Sequence, residues 1–340
     1  MLVVERDISP YRENMGWEVP KIEGVTIEVA PSRERIKKIV DTNRDAIHVL
    51  SGIKGSKIMN VSMKRGAKRK VRMGSMSEPY DRTGIKGRLR DVKYWYTGLF
   101  FYRHFDFLLA IGKEGVNTYT RIGFNAKRVF PWAYFVSVDA PEKQQTADGI
   151  TKIIYAGRVE KGKGIYPFVT ELAKAENKRY RLDIYGSGPD EDKLKEFVQD
   201  NALTGNIYFH PFLKYNEMVK QYTNYDWVVL PSTRKDGWGV IINEGLLNGL
   251  KAICSNICGV SWAIADKRNG VTFDWRKHGS CSNAIDTMLA GTGFANAADI
   301  QEWARRSLSG EAGAAYFLEI MDNVYDKKDK PSPPWLANKI

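Results

Sequence analysis

Short apolar runs alternate with amphipathic stretches along almost the whole chain. In the first part the runs are Leu2–Val4, 25–29, 46–50, Phe107–Ile111 and 129–130. Each has strand length, and the segments between them repeat their apolar residues at helical spacing. The second part repeats a strand–loop–helix unit, with strands expected at 152–156, Tyr180–Tyr185, 206–209, Trp227–Leu230 and 251–254 and a helical period over 192–198. This rhythm predicts parallel, doubly wound sheets, whose ligands bind in the loops after the carboxyl ends of the strands. Between the two parts, 138–145 is polar and aperiodic, which marks a linker. The expected organisation is a first Rossmann-like domain over 1–145 and a second over 146–310. The remaining segment, 311–340, carries a helix near 312–325 that is expected to return to the first domain.

Composition narrows the class. At 340 residues the chain is long enough for two such cores. Its 43% hydrophobic and 12% aromatic content excludes a disordered or fibrous protein, and no run reaches the roughly 18 apolar residues of a membrane-spanning helix. The opening Met1-Leu2-Val3-Val4-Glu5-Arg6-Asp7 lacks the parts of an export signal, which predicts a cytoplasmic protein. Three cysteines, Cys254, Cys258 and Cys281, make a poor disulfide framework and suit a reducing compartment. With no second pair near them, Cys254 and Cys258 read as small apolar filler rather than a zinc site. Charge changes the picture more. The net charge is +12, yet residues 1–140 hold 26 Lys and Arg against 15 Asp and Glu, and 54–103 alone hold 14 against 3. A surplus so confined faces an anionic partner or is a solvated surface.

Candidate chemistry gathers in three post-strand loops of the second part. In Gly157-Arg158-Val159-Glu160-Lys161-Gly162-Lys163-Gly164, glycines allow close backbone approach, and Arg158 and Lys163 can converge on phosphate oxygens. Gly186-Ser187-Gly188-Pro189 is a tight turn with free amide donors. The third loop runs from Ser232 through Asp236-Gly237-Trp238-Gly239 into a helix expected to begin near Val240, whose unpaired N–H groups favour a phosphate. Asp236 precedes that helix and Glu244 lies inside it, too far apart for the paired-carboxylate geometry of glycosidases. They should act on different parts of one ligand, a sugar at one and a ribose at the other.

Taken in order, Arg158, Lys163, Gly186-Ser187-Gly188 and Pro231-Ser232 followed by Asp236 and Glu244 resemble glycosyltransferase family 4, of the GT-B fold, across essentially the whole second part. The resemblance implies two Rossmann-like domains facing a cleft. It implies a retaining glycosyltransferase that moves a sugar from a UDP-, GDP- or ADP-sugar to a glycan or lipid-linked diphosphate acceptor, without a metal or cofactor. Arg158 and Lys163 would neutralise the departing diphosphate, Asp236 would contact the donor sugar, and Glu244 would hold the ribose. Gly157, Gly186, Ser187, Gly188, Gly237, Trp238, Gly239 and Val240 would complete the donor site, although donor packing and core burial are both open for Trp238. The family's first acidic residue is usually Glu, so Asp236 shortens the reach by one methylene. The first part resembles the family more loosely, from Asp106 through Tyr134, and by that resemblance lacks the family's opening strand–loop–helix unit, so a truncated start or an impaired enzyme is a second expectation. Where many members carry a His, this chain reads Met76-Ser77-Glu78-Pro79, making Glu78 the candidate substitute on the acceptor side, with His104 a second. The likeness to bacterial polysaccharide enzymes suggests capsule, exopolysaccharide or lipopolysaccharide assembly at the inner membrane face.

The basic segment admits two readings. Over 84–105, Lys86, Arg88, Arg90, Lys93 and Arg103 are interleaved with Tyr94, Trp95, Tyr96 and Tyr102, as in an element lying on an anionic membrane. Alternatively, Leu89, Val92, Tyr96, Leu99 and Phe100 form the core face of a helix whose cations are solvated. Nucleic acid is disfavoured, because no recognised binding motif is present. A sugar-nucleotide epimerase or a binding subunit would use the same donor loops. A nicotinamide-dependent oxidoreductase is disfavoured by the lack of a Gly-x-Gly-x-x-Gly turn after a strand.

Overall fold

The computed structural model describes residues 1–4, 22–53, 56–80, 82, 84–138, 149–264 and 268–340. The linker expected at 138–145 lies, but for Val138, outside the described residues. The chain divides into one unit of Met1–Trp132 with Ile320–Lys330 and another of Ala133–Glu319 with Pro331–Ile340.

In the first unit, β1 (Leu2–Val4) pairs in parallel with β2 (Ile27–Val29). A four-stranded parallel sheet follows in the order β3 (Ile47–Ser51), β4 (Arg72–Ser77), β5 (Phe107–Ile111) and β6 (Val129–Trp132). Every residue of β5 is buried, which accounts for its unbroken apolar run. Strand β4 has no such run and was not expected from the sequence. Its interior is filled from next door: a Cβ on Gly74 would lie 2.2 Å from the Phe107 ring. Its buried Ser75 is satisfied by donating to the Gly52 carbonyl at 2.7 Å. Ser32 and Ser56 cap the helices Arg33–Thr42 and Lys57–Arg69 by accepting the backbone N–H three residues on.

In the second unit, six parallel strands lie in the order β12 (Gly270–Phe273), β11 (Lys251–Ser255), β10 (Trp227–Leu230), β7 (Thr151–Ala156), β8 (Tyr180–Tyr185), β9 (Ile207–His210). Strand β12 is a second addition to the expected set. Alternation along β8 sends Leu182 and Ile184 into the core that includes Ile153, Phe168 and Trp227. Asp183 is wholly buried, where Arg181 grips its two oxygens at 2.7 and 2.9 Å and the His210 ring nitrogen reaches Oδ1. His48 is likewise held locally, its Nε2 2.8 Å from the Asn43 carbonyl.

The chain ends inside this second unit. Trp335, on the short helix Pro334–Ala337, is 4% exposed and meets the Trp238 ring edge-on at 5.3 Å. The Asn338 carbonyl accepts from the Trp303 indole at 3.1 Å, which ties the tail to the helix Ala297–Leu308.

Candidate functional site

The strand order of the second unit reverses between β7 and β10, which are hydrogen-bonded neighbours in mid-sheet. Loops leaving two such strands part to opposite faces and leave a crevice at their carboxyl ends. Here those loops are 157–164 and 231–239, the first and third of the sequence-predicted loops.

Backbone contacts lace all three loops together. Gly157 N–H donates to the Tyr185 carbonyl at 2.9 Å and Val159 N–H to that of Ser187 at 3.0 Å. Gly186 stands at φ +128°, and a Cβ there would lie 2.2 Å from the Gly157 carbonyl oxygen. The glycine is therefore required by the neighbouring loop, not only by a ligand, which sharpens the sequence reading of the Gly186-Ser187-Gly188 turn. On the other side, Thr233 N–H donates to the Gly162 carbonyl at 3.1 Å and its hydroxyl to that of Lys161 at 2.7 Å.

This lacing brings Lys163 and Asp236 together although 73 positions separate them: Nζ donates to Oδ2 at 2.7 Å. Ser232 Oγ donates to the same oxygen at 3.2 Å. The Asp236 backbone is fixed too, bridged in parallel to Cys258 and accepting from Gly259 N–H at 3.1 Å. Burial pushes the Cys258 thiol up to about 12, so it is inert filler beneath the loop. Arg158 stays at the surface, 58% exposed and 3.3 Å from Glu160, while its carbonyl accepts from Tyr155 Oη at 2.7 Å. Gly237 and Gly239 lead into the helix Val240–Leu247, which begins where expected and has no side-chain cap at Gly239. Its first N–H groups therefore face the crevice end of the sheet without a side-chain acceptor.

Glu244 lies within that helix, 6% exposed, and accepts the Tyr222 hydroxyl at 2.8 Å. Burial raises its carboxyl from 4.5 to about 7, and the tyrosine hydrogen bond only partly offsets this. Tyr222, wholly buried, is itself raised well above its ordinary value by burial and by the facing carboxylate.

Three sequence readings change. Trp238 is fully buried, with its indole N–H donated to Asn243 Oδ1 at 3.0 Å and its ring against Trp335. Of its two open readings core burial holds, and its side chain is removed from the set of donor contacts. His104 and Glu78 cannot serve one acceptor site on this sheet. Glu78 follows the carboxyl end of β4, whereas His104 precedes β5 at the amino edge, where Asp106 Oδ2 accepts from Met73 N–H at 2.9 Å. Finally, Leu89, Val92 and Tyr96 are 65%, 64% and 61% exposed, so they do not form a core face. The side chains of Leu99 and Phe100 lie outside the described residues.

Two residues that position the site were missed. Tyr222 is 22 positions before Glu244, with no local motif to flag it. Trp275, in the loop after β12, donates its indole N–H to the Pro231 carbonyl at 2.9 Å and so braces the third loop. An isolated tryptophan after an unrecognised strand gave no signal.

The fold and this crevice define the class: the architecture is that of GT-B glycosyltransferases. The lipopolysaccharide outer core galactosyltransferase WaaB superposes with a TM-score of 0.66 over 87% of this chain and 79% of its own, at 15% identity. Anabaena HepE in complex with UDP and glucose gives 0.62 over 88% and 86%, at 14% identity. Residues 138–306 match the family model described as glycosyl transferases group 1. A D-inositol 3-phosphate glycosyltransferase of Paenarthrobacter aurescens is 27% identical over 142 residues, which are 40% of this chain and 35% of that protein. An uncharacterized glycosyltransferase of Methanocaldococcus jannaschii is 25% identical over 171 residues, 48% and 44% of the two chains. The matches thus span less than half the length of these relatives.

Proposed function

We propose that this protein is a retaining glycosyltransferase, moving a sugar from a nucleoside-diphosphate sugar to a glycan or lipid-linked acceptor in the assembly of a bacterial surface polysaccharide. The observation that carries this reading is the Lys163–Asp236 contact at the switch crevice, beside the uncapped helix start at Val240. The anomeric carbon exchanges its bond to the diphosphate oxygen for one to the acceptor oxygen, and the nucleoside diphosphate departs with the proton that the acceptor hydroxyl gives up. Negative charge grows on that leaving group, and Lys163, Arg158 and the helix-start amides are the groups that meet it. Donor entry exchanges the Lys163–Asp236 contact for Lys163 on phosphate and Asp236 on the sugar. Glu244 turns from Tyr222 to the ribose, and Glu78 faces the acceptor. The group 1 match and the UDP and glucose carried by HepE support this division. No metal is assigned a part. The acceptor is met at an anionic membrane face on the cytoplasmic side through residues 84–105; among the described residues, no helix is long and apolar enough to cross a membrane.

The test is a calorimetric screen of UDP-, GDP- and ADP-sugars, with slow donor hydrolysis as a second readout, in wild type and Glu244→Ala. One donor class is expected to bind, the substitution to weaken it at least about tenfold through loss of charge-assisted bonds, and hydrolysis to survive a chelator. Binding of no sugar nucleotide, or equal binding by the variant, refutes the donor site.

A further inference from the structure

The helix Gly84–Phe101 is built inside out. Its inward line is Gly87, Asp91, Tyr94 and Gly98, all buried or half-buried. Gly87 and Gly98 let the helix sit down on its support: a Cβ on either would come within 2.1 Å of the Arg82 backbone or the Tyr102 ring. Asp91 is tied by Arg82, whose NH2 donates to Oδ2 at 2.8 Å, and by the Tyr80 hydroxyl at 2.6 Å. Tyr94 stacks obliquely on Tyr80 at 4.5 Å and lends its carbonyl to the Tyr102 hydroxyl at 2.8 Å.

The opposite line is Ile85, Leu89, Val92 and Tyr96, spaced by four, three and four residues on one helical face and exposed by 79%, 65%, 64% and 61%. Trp95, 51% exposed, flanks it. Helices of globular domains normally turn such a stripe inward, so an outward one marks an interaction face. Lys86, Arg88, Arg90 and Lys93 border it and are all exposed, while the helix's single acidic residue, Asp91, is the one held on the inner side. At the helix end, Trp95, Tyr102 and Phe124 wall a groove of about 270 Å³ rimmed by Arg103 and Arg128.

We infer that this stripe inserts into the interface of an anionic bilayer, with Ile85, Leu89, Val92 and Trp95 among the acyl chains and the bordering cations on lipid phosphates. The inference deepens the membrane-facing part of the proposed function and rests on that part alone. A second copy of this chain would set four cations against four, whereas an anionic surface meets every one of them. An apolar stripe in a cationic border is the pattern of helices that lie in the membrane plane.

Cosedimentation with phosphatidylcholine vesicles, with and without about 30% phosphatidylglycerol, tests this, using wild type, L89D/V92D and K86E/R88E. All four substituted positions are exposed, so the variants keep the wild-type melting temperature. Expected are partition onto anionic vesicles only, a fall of more than about tenfold in both variants, and loss at high salt in wild type. Sugar-nucleotide binding, read in the same samples, should be unchanged in both. Failure of wild type to bind anionic vesicles overturns the inference. So does unaltered binding by stable L89D/V92D, or a wild-type dimer that this variant dissociates, since a second copy would then cover the stripe. If vesicles bind but no sugar nucleotide does, the donor reading fails and this one stands.

Discussion

Glu244 is a carboxyl group kept in an environment that resists its charge. Its folded value near 7 lies above the ordinary 4.5, with burial the main cause. Between these two values the folded state holds a proton that the unfolded chain releases, so stability falls as pH rises through this window. Glu244→Gln removes the titration while keeping the shape and a polar partner for Tyr222. The stability difference between variant and wild type should be constant below about pH 4.5, grow in the variant's favour through about pH 7, and then level off at up to about 3 kcal/mol. Urea denaturation at about pH 5 and about pH 8 reads it directly. A difference that does not change between these conditions would show that the buried carboxyl stays ionised. Tyr222 gives this buried carboxyl a hydrogen-bond partner at 2.8 Å. Nothing local in the sequence shows this, because the tyrosine comes from a different helix, Tyr215–Tyr222.

At the scale of elements, what the sequence revealed depended on which side of a strand its neighbours fill. Strands β5 and β10 announce themselves by apolar runs, since both faces of a covered parallel sheet are buried. Strand β4 reads Arg-Met-Gly-Ser-Met-Ser because its space is occupied by Phe107 and its serines bond to neighbouring backbone. Gly74→Val should therefore cost about 1–3 kcal/mol by overpacking, and thermal unfolding should show a clear loss of stability. Gly74→Ala should cost less, though not nothing, since even its Cβ would lie 2.2 Å from a ring that is itself fully buried. An unchanged melting temperature for the valine variant would mean that Phe107 can leave its place. The helix Gly84–Phe101 was left with two readings by its sequence for a related reason. Its stripe has the period of a core face, and only the small, tied residues on the opposite line show which side is turned inward.

For the molecule as a whole, the three candidate loops and their order were legible, but what holds them was not. The motif residues from Gly157 to Glu244 are close in sequence to the strands that carry them, so periodicity places them at carboxyl ends. The supports come from farther away: Trp275 from beyond β12, and Trp335 from the last ten residues. Trp335 packs on Trp238, whose indole N–H holds Asn243, whose amide in turn donates to the Tyr134 carbonyl at 2.7 Å. The tail is thus part of the second unit's core although it follows a segment assigned to the first. Trp335→Ala should cost about 3–5 kcal/mol, the range for emptying a large aromatic site, and the loss should be confined to one unit. Hydrogen exchange should speed up in β7 to β12 and at the helix Val240–Leu247 while the amides of β3 to β6 keep their protection. Donor affinity should fall with it, because the loop carrying Asp236 loses the ring beneath it, and Trp335→Phe should restore most of both. If protection falls equally in the two sheets, the chain unfolds as one cooperative body and the division into units has no energetic meaning. If only β7 to β12 respond, the tail is the lock of the second unit, and its removal offers a way to weaken that unit while leaving the first in place.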